Sequence, residues 1–125
     1  MKPMSYLLIA AGGAVGAMAR YWIGSSILSG GGLPWATIAI NVGGSFLIGL
    51  LGTLAIEQSA LSAPQRQLLL TGFLGGFTTY SAFSFEFQLL IHEGDHLKAL
   101  AYLSLTVLGA MAAVFAGAAL ARQVG

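Results

Sequence analysis

Charged side chains are so rare in this chain that they leave long uncharged stretches between them. Only 7% of the 125 residues are charged, whereas an ordinary soluble domain carries about 25%. The charged residues are Lys2, Arg20, Glu57, Arg66, Glu86, Glu93, Asp95, Lys98 and Arg122. Because a water-exposed surface requires many more charges than this, a soluble globular domain is excluded.

The uncharged stretches are long enough to cross a lipid bilayer. A membrane-spanning helix needs about 20 apolar residues in a row, and we predict four spans, over residues 4–28, 35–56, 65–91 and 97–121. Turn-forming residues separate the first two spans at Ser29-Gly30-Gly31-Gly32 and Pro34, and short polar segments separate the others. The sequence therefore predicts an all-α membrane protein in which residues 1–125 form a single four-helix transmembrane domain.

The basic residues give little information about the orientation of the chain. With four spans, Lys2, Arg66 and Arg122 lie on the side that holds both termini, and Arg20 and Lys98 lie on the other. Three against two is a very weak positive-inside bias. One consequence is insertion in both orientations, so that two opposed copies pair in an antiparallel dimer. The alternative is a fixed orientation with the termini in the cytoplasm. The net charge of +1 gives no basis for a nucleic-acid partner.

One charged side chain and one amide side chain lie within the first two predicted spans, where such polar groups are costly. Arg20 either extends towards the interface from a helix end or supplies a fixed positive charge that attracts anions. Asn41 either bonds a neighbouring helix through its amide or offers its NH2 group in place of water to a passing anion. The residues alone leave both pairs of alternatives open.

The third span contains the strongest local signal, from Gly72 to Glu86. Its Gly75-Gly76 pair is followed by Thr78-Thr79, and this combination weakens a helix, so we predict a break near mid-membrane. Irregular backbone is tolerated at that depth only where it is buried in protein or lines a wet cavity. Carbonyl oxygens that such a break releases are suitable ligands for a small cation.

Aromatic and hydroxyl side chains follow the predicted break. Tyr80 and Phe83 are three positions apart and share a helix face, and the positive edge of an aromatic ring stabilises an anion without a full charge. In the fourth span, Tyr102 and Thr106 are one turn apart and offer hydroxyl donors. Each pair also fits ordinary helix packing, so neither pair identifies a site by itself.

Together, these motifs resemble the Fluc/CrcB family of fluoride channels. The resemblance covers nearly the whole chain and is carried, in order, by Gly12–Ala17 leading to Arg20-Tyr21, by Asn41–Phe46 and by Gly72–Glu86. It implies a fluoride-selective channel, not an enzyme, that passively exports fluoride from the cytoplasm across the inner membrane of the cell. It also implies an antiparallel, dual-topology homodimer with two pores and a central structural sodium ion.

The resemblance also implies roles for individual residues. Backbone carbonyls of Gly75 and Thr78 are expected to hold the sodium ion. The residues expected to line the pore or bind fluoride are Asn41, Tyr80, Phe83, Tyr102 and Thr106, and Arg20 matches the arginine that ends the first motif. The chain departs from the family at Tyr80, where phenylalanine is usual, and at Ala82, where threonine is usual. Ala110, two turns after Tyr102, supplies no hydroxyl.

Two other functions fit a chain of this size. A small multidrug exporter also has four short spans, but proton-coupled cation export needs a carboxylate deep in a helix. The first span has none, and Glu57 and Glu86 lie near predicted helix ends. A non-transporting assembly subunit, whose small-residue stripes only pack, is the second alternative. It predicts that replacing Asn41 by leucine is harmless.

Overall fold

The structure is a computed structural model that describes residues 2–27 and 32–124. All regular structure within these residues is helical. The helices are α1 (Pro3–Trp22), α2 (Trp35–Glu57), α3 (63–77), α4 (Tyr80–His92) and α5 (His96–Val124). The chain continues past α1 in a wider π-helical turn, Ile23–Ile27, and the central part of α3, Gln67–Leu74, has the same winding. The predicted end of the first span at Leu28, and the turn residues Ser29, Gly30 and Gly31, lie outside the described residues.

Four segments are long and apolar enough to cross a membrane. They are Pro3–Ser26, Trp35–Glu57, Ala63–His92 and His96–Val124, the third of which includes both α3 and α4. The prediction of an all-helical chain with four membrane-crossing segments is therefore confirmed, and the chain is a multi-pass membrane protein.

Local sequence explains where the third segment begins. The Ser62 side chain accepts a hydrogen bond from the Gln65 backbone N–H, and the Gln65 side chain accepts one from the Ser62 N–H. This reciprocal capping box satisfies two backbone donors that a helix start leaves unpaired. Pro64 lies in the first turn, where its missing N–H costs nothing.

Glycines allow close contact within two pairs of helices, α1 with α3 and α2 with α5. At Gly12 and Gly16 of α1, an added Cβ would overlap backbone carbonyl oxygens of α3. At Gly49 of α2 and Gly117 of α5, an added Cβ would overlap the carbonyl oxygens of Val114 and Phe46, respectively. Backbones that approach this closely gain van der Waals contact, which is the main force between helices in lipid.

Polar contacts join α2 and α5 at one end of the molecule. Arg122 and Glu57 form a salt bridge of 2.7 Å, and the Gln58 amide donates to the Ala121 carbonyl at 2.9 Å. Both charged side chains are exposed, so the ion pair adds little stability. At the other end of α5, Tyr102 and Ala99 pack with Phe83 and Leu90 of α4 in a buried cluster.

Candidate functional site

The two threonines between α3 and α4 have extended backbone. Thr78 has φ −83° and ψ 158°, and Thr79 has φ −151° and ψ 119°. The Thr78 N–H and hydroxyl both donate to the Leu74 carbonyl, at 3.1 and 3.0 Å. The Thr79 hydroxyl accepts from the Ala82 N–H at 3.2 Å and so caps the start of α4. Thr78 thus completes one helix and Thr79 starts the next.

Asn41 of α2 binds the backbone of Thr79. Its Oδ1 accepts from the Thr79 N–H at 2.9 Å, and its Nδ2 donates to the Thr79 carbonyl at 3.0 Å. The amide NH2 group has two hydrogens, and the second has no partner in the part of the chain that the structure describes. Asn41 therefore both joins two helices and keeps one free donor.

The residues expected at the site mostly meet in one groove. This groove has a volume of about 470 Å³, is open on one side and is mainly apolar. It is lined by six of the expected residues: Asn41, Gly75, Thr78, Tyr80, Phe83 and Thr106. No Asp, Glu, Lys or Arg is among its lining residues in the described ranges, so its polar groups are uncharged amides, hydroxyls and carbonyls.

Three aromatic rings are arranged edge to face beside the groove. Tyr80 and Phe83 have centroids 5.8 Å apart and ring planes at 86°, and Phe83 and Tyr102 are 5.2 Å apart at 62°. Tyr80 is 79% exposed, whereas Phe83 is 6% exposed. In edge-to-face pairs the ring edges point in different directions. This arrangement therefore allows an edge of Tyr80 or Phe83, which both line the groove, to point into it.

Thr106 has an unusual hydroxyl for a buried residue. The side chain is 5% exposed, and its Oγ1 is buried with no hydrogen-bond partner among the described residues. Leaving a buried hydroxyl unpaired costs about 1–3 kcal/mol. Thr106 therefore brings to the groove wall a hydroxyl that nothing in the described part of the chain binds.

Tyr102 lies behind the groove and is not one of its lining residues. It is fully buried, and its hydroxyl donates to Glu86 Oε1 at 2.8 Å. Glu86 in turn lines a second cavity of about 420 Å³, together with Arg20, Thr37 and Thr79. The Tyr102 hydroxyl is thus already engaged by a carboxylate of a residue that lines the second cavity.

Arg20 contacts the end of α3. Its Nε donates to the Gly76 carbonyl at 3.1 Å, and the half-buried side chain also lines the second cavity. The Arg20 side chain therefore binds another helix through its Nε.

Two backbone carbonyls near the extended segment fit a small cation. Within residues 2–27 and 32–124, neither the Gly75 nor the Thr78 carbonyl accepts a hydrogen bond from protein. Both residues line the open groove. Unpaired carbonyl oxygens are hard ligands of the kind that replace the hydration shell of an alkali-metal ion, so the donor chemistry fits the sodium ion that the resemblance implies.

Comparison with known proteins places the chain in a family. The family model described as CrcB-like protein, Camphor Resistance (CrcB), matches residues 7–118. The chain belongs to the CrcB family.

Similar curated proteins are named fluoride-specific ion channel FluC. The protein of Rhizobium etli is 45% identical over 118 residues, which are 93% of this chain and 94% of that protein. The protein of Chlorobaculum tepidum is 44% identical over 123 residues, 98% of each chain. The protein of Methylococcus capsulatus is 45% identical over 122 residues, 96% of this chain but 54% of the relative, so the chain spans about half of that longer protein.

The structure adds two groups that the sequence did not connect to the CrcB site. The sequence indicates only that Glu86 marks a polar helix end, but its carboxylate binds Tyr102. The sequence gives the Gly76 carbonyl no role, but this carbonyl binds Arg20. A signal existed for Glu86, because it lies three residues after Phe83 and so shares its helix face. No pattern in the sequence indicates the Gly76 contact.

Proposed function

We propose that this chain is a fluoride-selective ion channel, not an enzyme, that lets fluoride leave the cytoplasm passively across the inner membrane. The main support is the groove, whose lining residues include uncharged donors: Asn41 with its free N–H, Thr106 with its unpaired hydroxyl, and the aromatic rings of Tyr80 and Phe83. The names of relatives that match almost the whole chain agree with it.

The donor chemistry suits an anion that must both enter and leave. Fluoride is small and strongly hydrated, so several donors must replace its water at once, while conduction requires binding weak enough for release. A lysine in the groove would hold the ion too tightly. Amides, hydroxyls and ring edges are intermediate in strength, and these are the groups present.

A second copy of the chain is the proposed cover of the groove. In one copy, the unpaired Gly75 carbonyl and the largely apolar wall, including Ile48 and Met111, lie at an open surface. Polar backbone facing lipid costs several kcal/mol per group, whereas two copies that meet here would enclose it. We propose an antiparallel, dual-topology homodimer with two pores, in which the segment Thr78-Thr79 interrupts the third span near mid-membrane.

A structural sodium ion is proposed at the dimer centre. The Gly75 and Thr78 carbonyls of both copies would hold it. When bound, the ion supplies a fixed positive charge that favours an anion nearby. The carbonyls themselves are fixed by the turn that Thr78 completes and by the Asn41 contact to Thr79. The proposed role is structural, without coupling of sodium to fluoride transport.

Fluoride efflux from liposomes tests this function. Purified protein is reconstituted in liposomes loaded with potassium fluoride, and a fluoride electrode records release after valinomycin sets the voltage. We expect rapid efflux driven by voltage, with no comparable release of chloride from matched liposomes. Efflux of organic cations without fluoride would support the small multidrug exporter instead. Absence of both fluoride flux and organic-cation flux would support the assembly subunit.

A further inference from the structure

One face of α1 contacts α3 at intervals of one helical turn. Gly12 and Gly16 lie on this face, where an added Cβ would overlap backbone atoms of α3. Arg20 is the next residue at the same spacing of four, so its side chain reaches α3 one turn further along. α3 ends at that level, at Phe77. The two glycines therefore set the approach that brings Arg20 to the end of α3.

Arg20 binds a backbone carbonyl oxygen that would accept a backbone N–H if the helix were continuous. In an α-helix, the N–H of residue i donates to the carbonyl of residue i−4, so the Gly76 carbonyl would accept from the Tyr80 N–H. Here it accepts from Arg20 Nε instead, at 3.1 Å. In the same way, the Thr79 N–H would donate to Gly75 but donates to Asn41 at 2.9 Å. Two side chains thus replace two successive helical hydrogen bonds.

We propose that Arg20 is a positioning residue that holds the α3–α4 junction open through its Nε–H. The consequence of this positioning is that the Gly75 and Thr78 carbonyls stay free. The importance of that consequence rests on the proposed function. Arg20 supplies the hydrogen bond that the Gly76 carbonyl lacks where the helix stops, so the interrupted junction is held less firmly when this bond is lost. A positive charge at the C-terminal end of α3 also interacts favourably with the helix dipole. In this proposal, however, the position of the Nε–H donor, and not the charge, fixes the geometry of the junction.

Attraction of anions by the arginine charge is the competing role, and two substitutions separate it from positioning. Arg20→Gln removes the charge but puts an amide nitrogen at the position of Nε, since both atoms follow Cδ. Arg20→Lys keeps the charge but puts a methylene group at that position. Lys98→Gln is the matched control, because Lys98 is an exposed basic residue at the start of α5 and is far from the junction in sequence.

Fluoride efflux at low and at saturating fluoride concentration distinguishes the two roles. If Arg20 positions the junction, Arg20→Lys lowers the maximal flux by about tenfold, as expected for loss of a charge-assisted hydrogen bond. Arg20→Gln then retains more of the maximal flux than Arg20→Lys, and Lys98→Gln matches the wild type. If Arg20 attracts anions, the order is reversed: Arg20→Lys conducts normally, and Arg20→Gln loses flux mainly at low fluoride. The reversed order would overturn the proposal.

Hydrogen exchange of the backbone tests the same proposal without fluoride. For the purified protein in micelles, deuterium uptake is compared over residues 74–82. We expect exchange to be about tenfold faster in Arg20→Lys than in the wild type, with Arg20→Gln and Lys98→Gln close to the wild type. Equal exchange in Arg20→Lys and the wild type would refute the positioning role. If the wild type carries no fluoride, the proposed function fails, while this measurement still decides whether Arg20 holds the junction.

Discussion

The Asn41 side-chain amide forms two hydrogen bonds with the backbone of Thr79, as a neighbouring peptide group could. Its amide accepts the Thr79 N–H at 2.9 Å and donates to the Thr79 carbonyl at 3.0 Å. Because Asn41 takes the N–H that a helix would direct to Gly75, the carbonyl of Gly75 is left without that partner. One amide in α2 thus connects the junction, the groove and the proposed cation ligands.

Replacing Asn41 with leucine leaves the two Thr79 backbone groups without their partner. Each unpaired group costs about 1–3 kcal/mol, so we expect Asn41→Leu to lower the free energy of unfolding by about 2 kcal/mol or more and to abolish fluoride efflux. Denaturant unfolding in micelles measures the first effect. Ser45→Ala, one turn along α2, is the control and should unfold like the wild type. A stable, conducting Asn41→Leu would contradict both the structural role and the fluoride-binding role of Asn41.

Phe83→Ile is expected to abolish fluoride flux while the protein stays folded. Isoleucine fills much of the buried site, so the cost in stability is about 1–2 kcal/mol, but it removes the ring edge beside Tyr80 and Tyr102. Phe85→Ile provides a matched control on the same helix, since Phe85 is 63% exposed. Efflux from both variants is measured together with gel filtration. Wild-type flux from Phe83→Ile would refute the aromatic role.

Thr106→Val separates stability from function. Valine has the shape of threonine without the hydroxyl, and that hydroxyl has no hydrogen-bond partner in the described part of the chain. We therefore expect the free energy of unfolding to stay equal or to rise by up to about 1 kcal/mol, while fluoride flux falls by about tenfold. Thr106→Ser, which keeps the donor, should retain flux. A destabilised Thr106→Val would show that the hydroxyl is satisfied by protein or water.

Sodium binding should survive the loss of the Thr78 methyl group. The Thr78 hydroxyl donates to Leu74, which leaves the carbonyl as the proposed ligand. We expect Thr78→Ser to keep the wild-type difference in melting temperature between sodium chloride and N-methylglucamine chloride. Disappearance of that difference in Thr78→Ser would contradict a site that needs only the backbone carbonyl of this residue. A wild type with no such difference would argue against the sodium site.

Gly49→Ala should separate α2 from α5. Its Cβ would overlap the Val114 carbonyl oxygen, and backbone atoms cannot move aside as a flexible side chain can. We expect a loss of about 2 kcal/mol or more in the free energy of unfolding. Gly52→Ala is the control, because the Cβ added there meets no atom within 4 Å. Similar stability of the two variants would contradict the close packing.

Much of the fold can be predicted from the sequence because its causes are local. Uncharged runs of spanning length predict four membrane-crossing segments, and the structure places them at nearly the expected positions. The capping box at Ser62 and Gln65 is equally local. The wider winding of Gln67–Leu74 has no such signal, and it occurs where α3 packs closely against Gly12 and Gly16 of α1.

The polar contacts of the site are harder to predict from the sequence than the helices are. Residue types indicate that Arg20 and Asn41 need partners in lipid, but those partners lie 56 and 38 positions away, at Gly76 and Thr79. Both partners are backbone groups, and every residue other than proline has the same ones. Only the packing of the helices selects which carbonyl or N–H a polar side chain meets.

Current through a single reconstituted protein in a planar bilayer is the most direct test of passive, fluoride-selective conduction. With a tenfold gradient of fluoride balanced by an impermeant anion, we expect the current to reverse at about 59 mV, the potential for a single charge at this gradient, and to be insensitive to a pH gradient. Replacing fluoride by chloride should abolish the current. A reversal potential near zero, or one that follows the pH gradient, would contradict a fluoride channel.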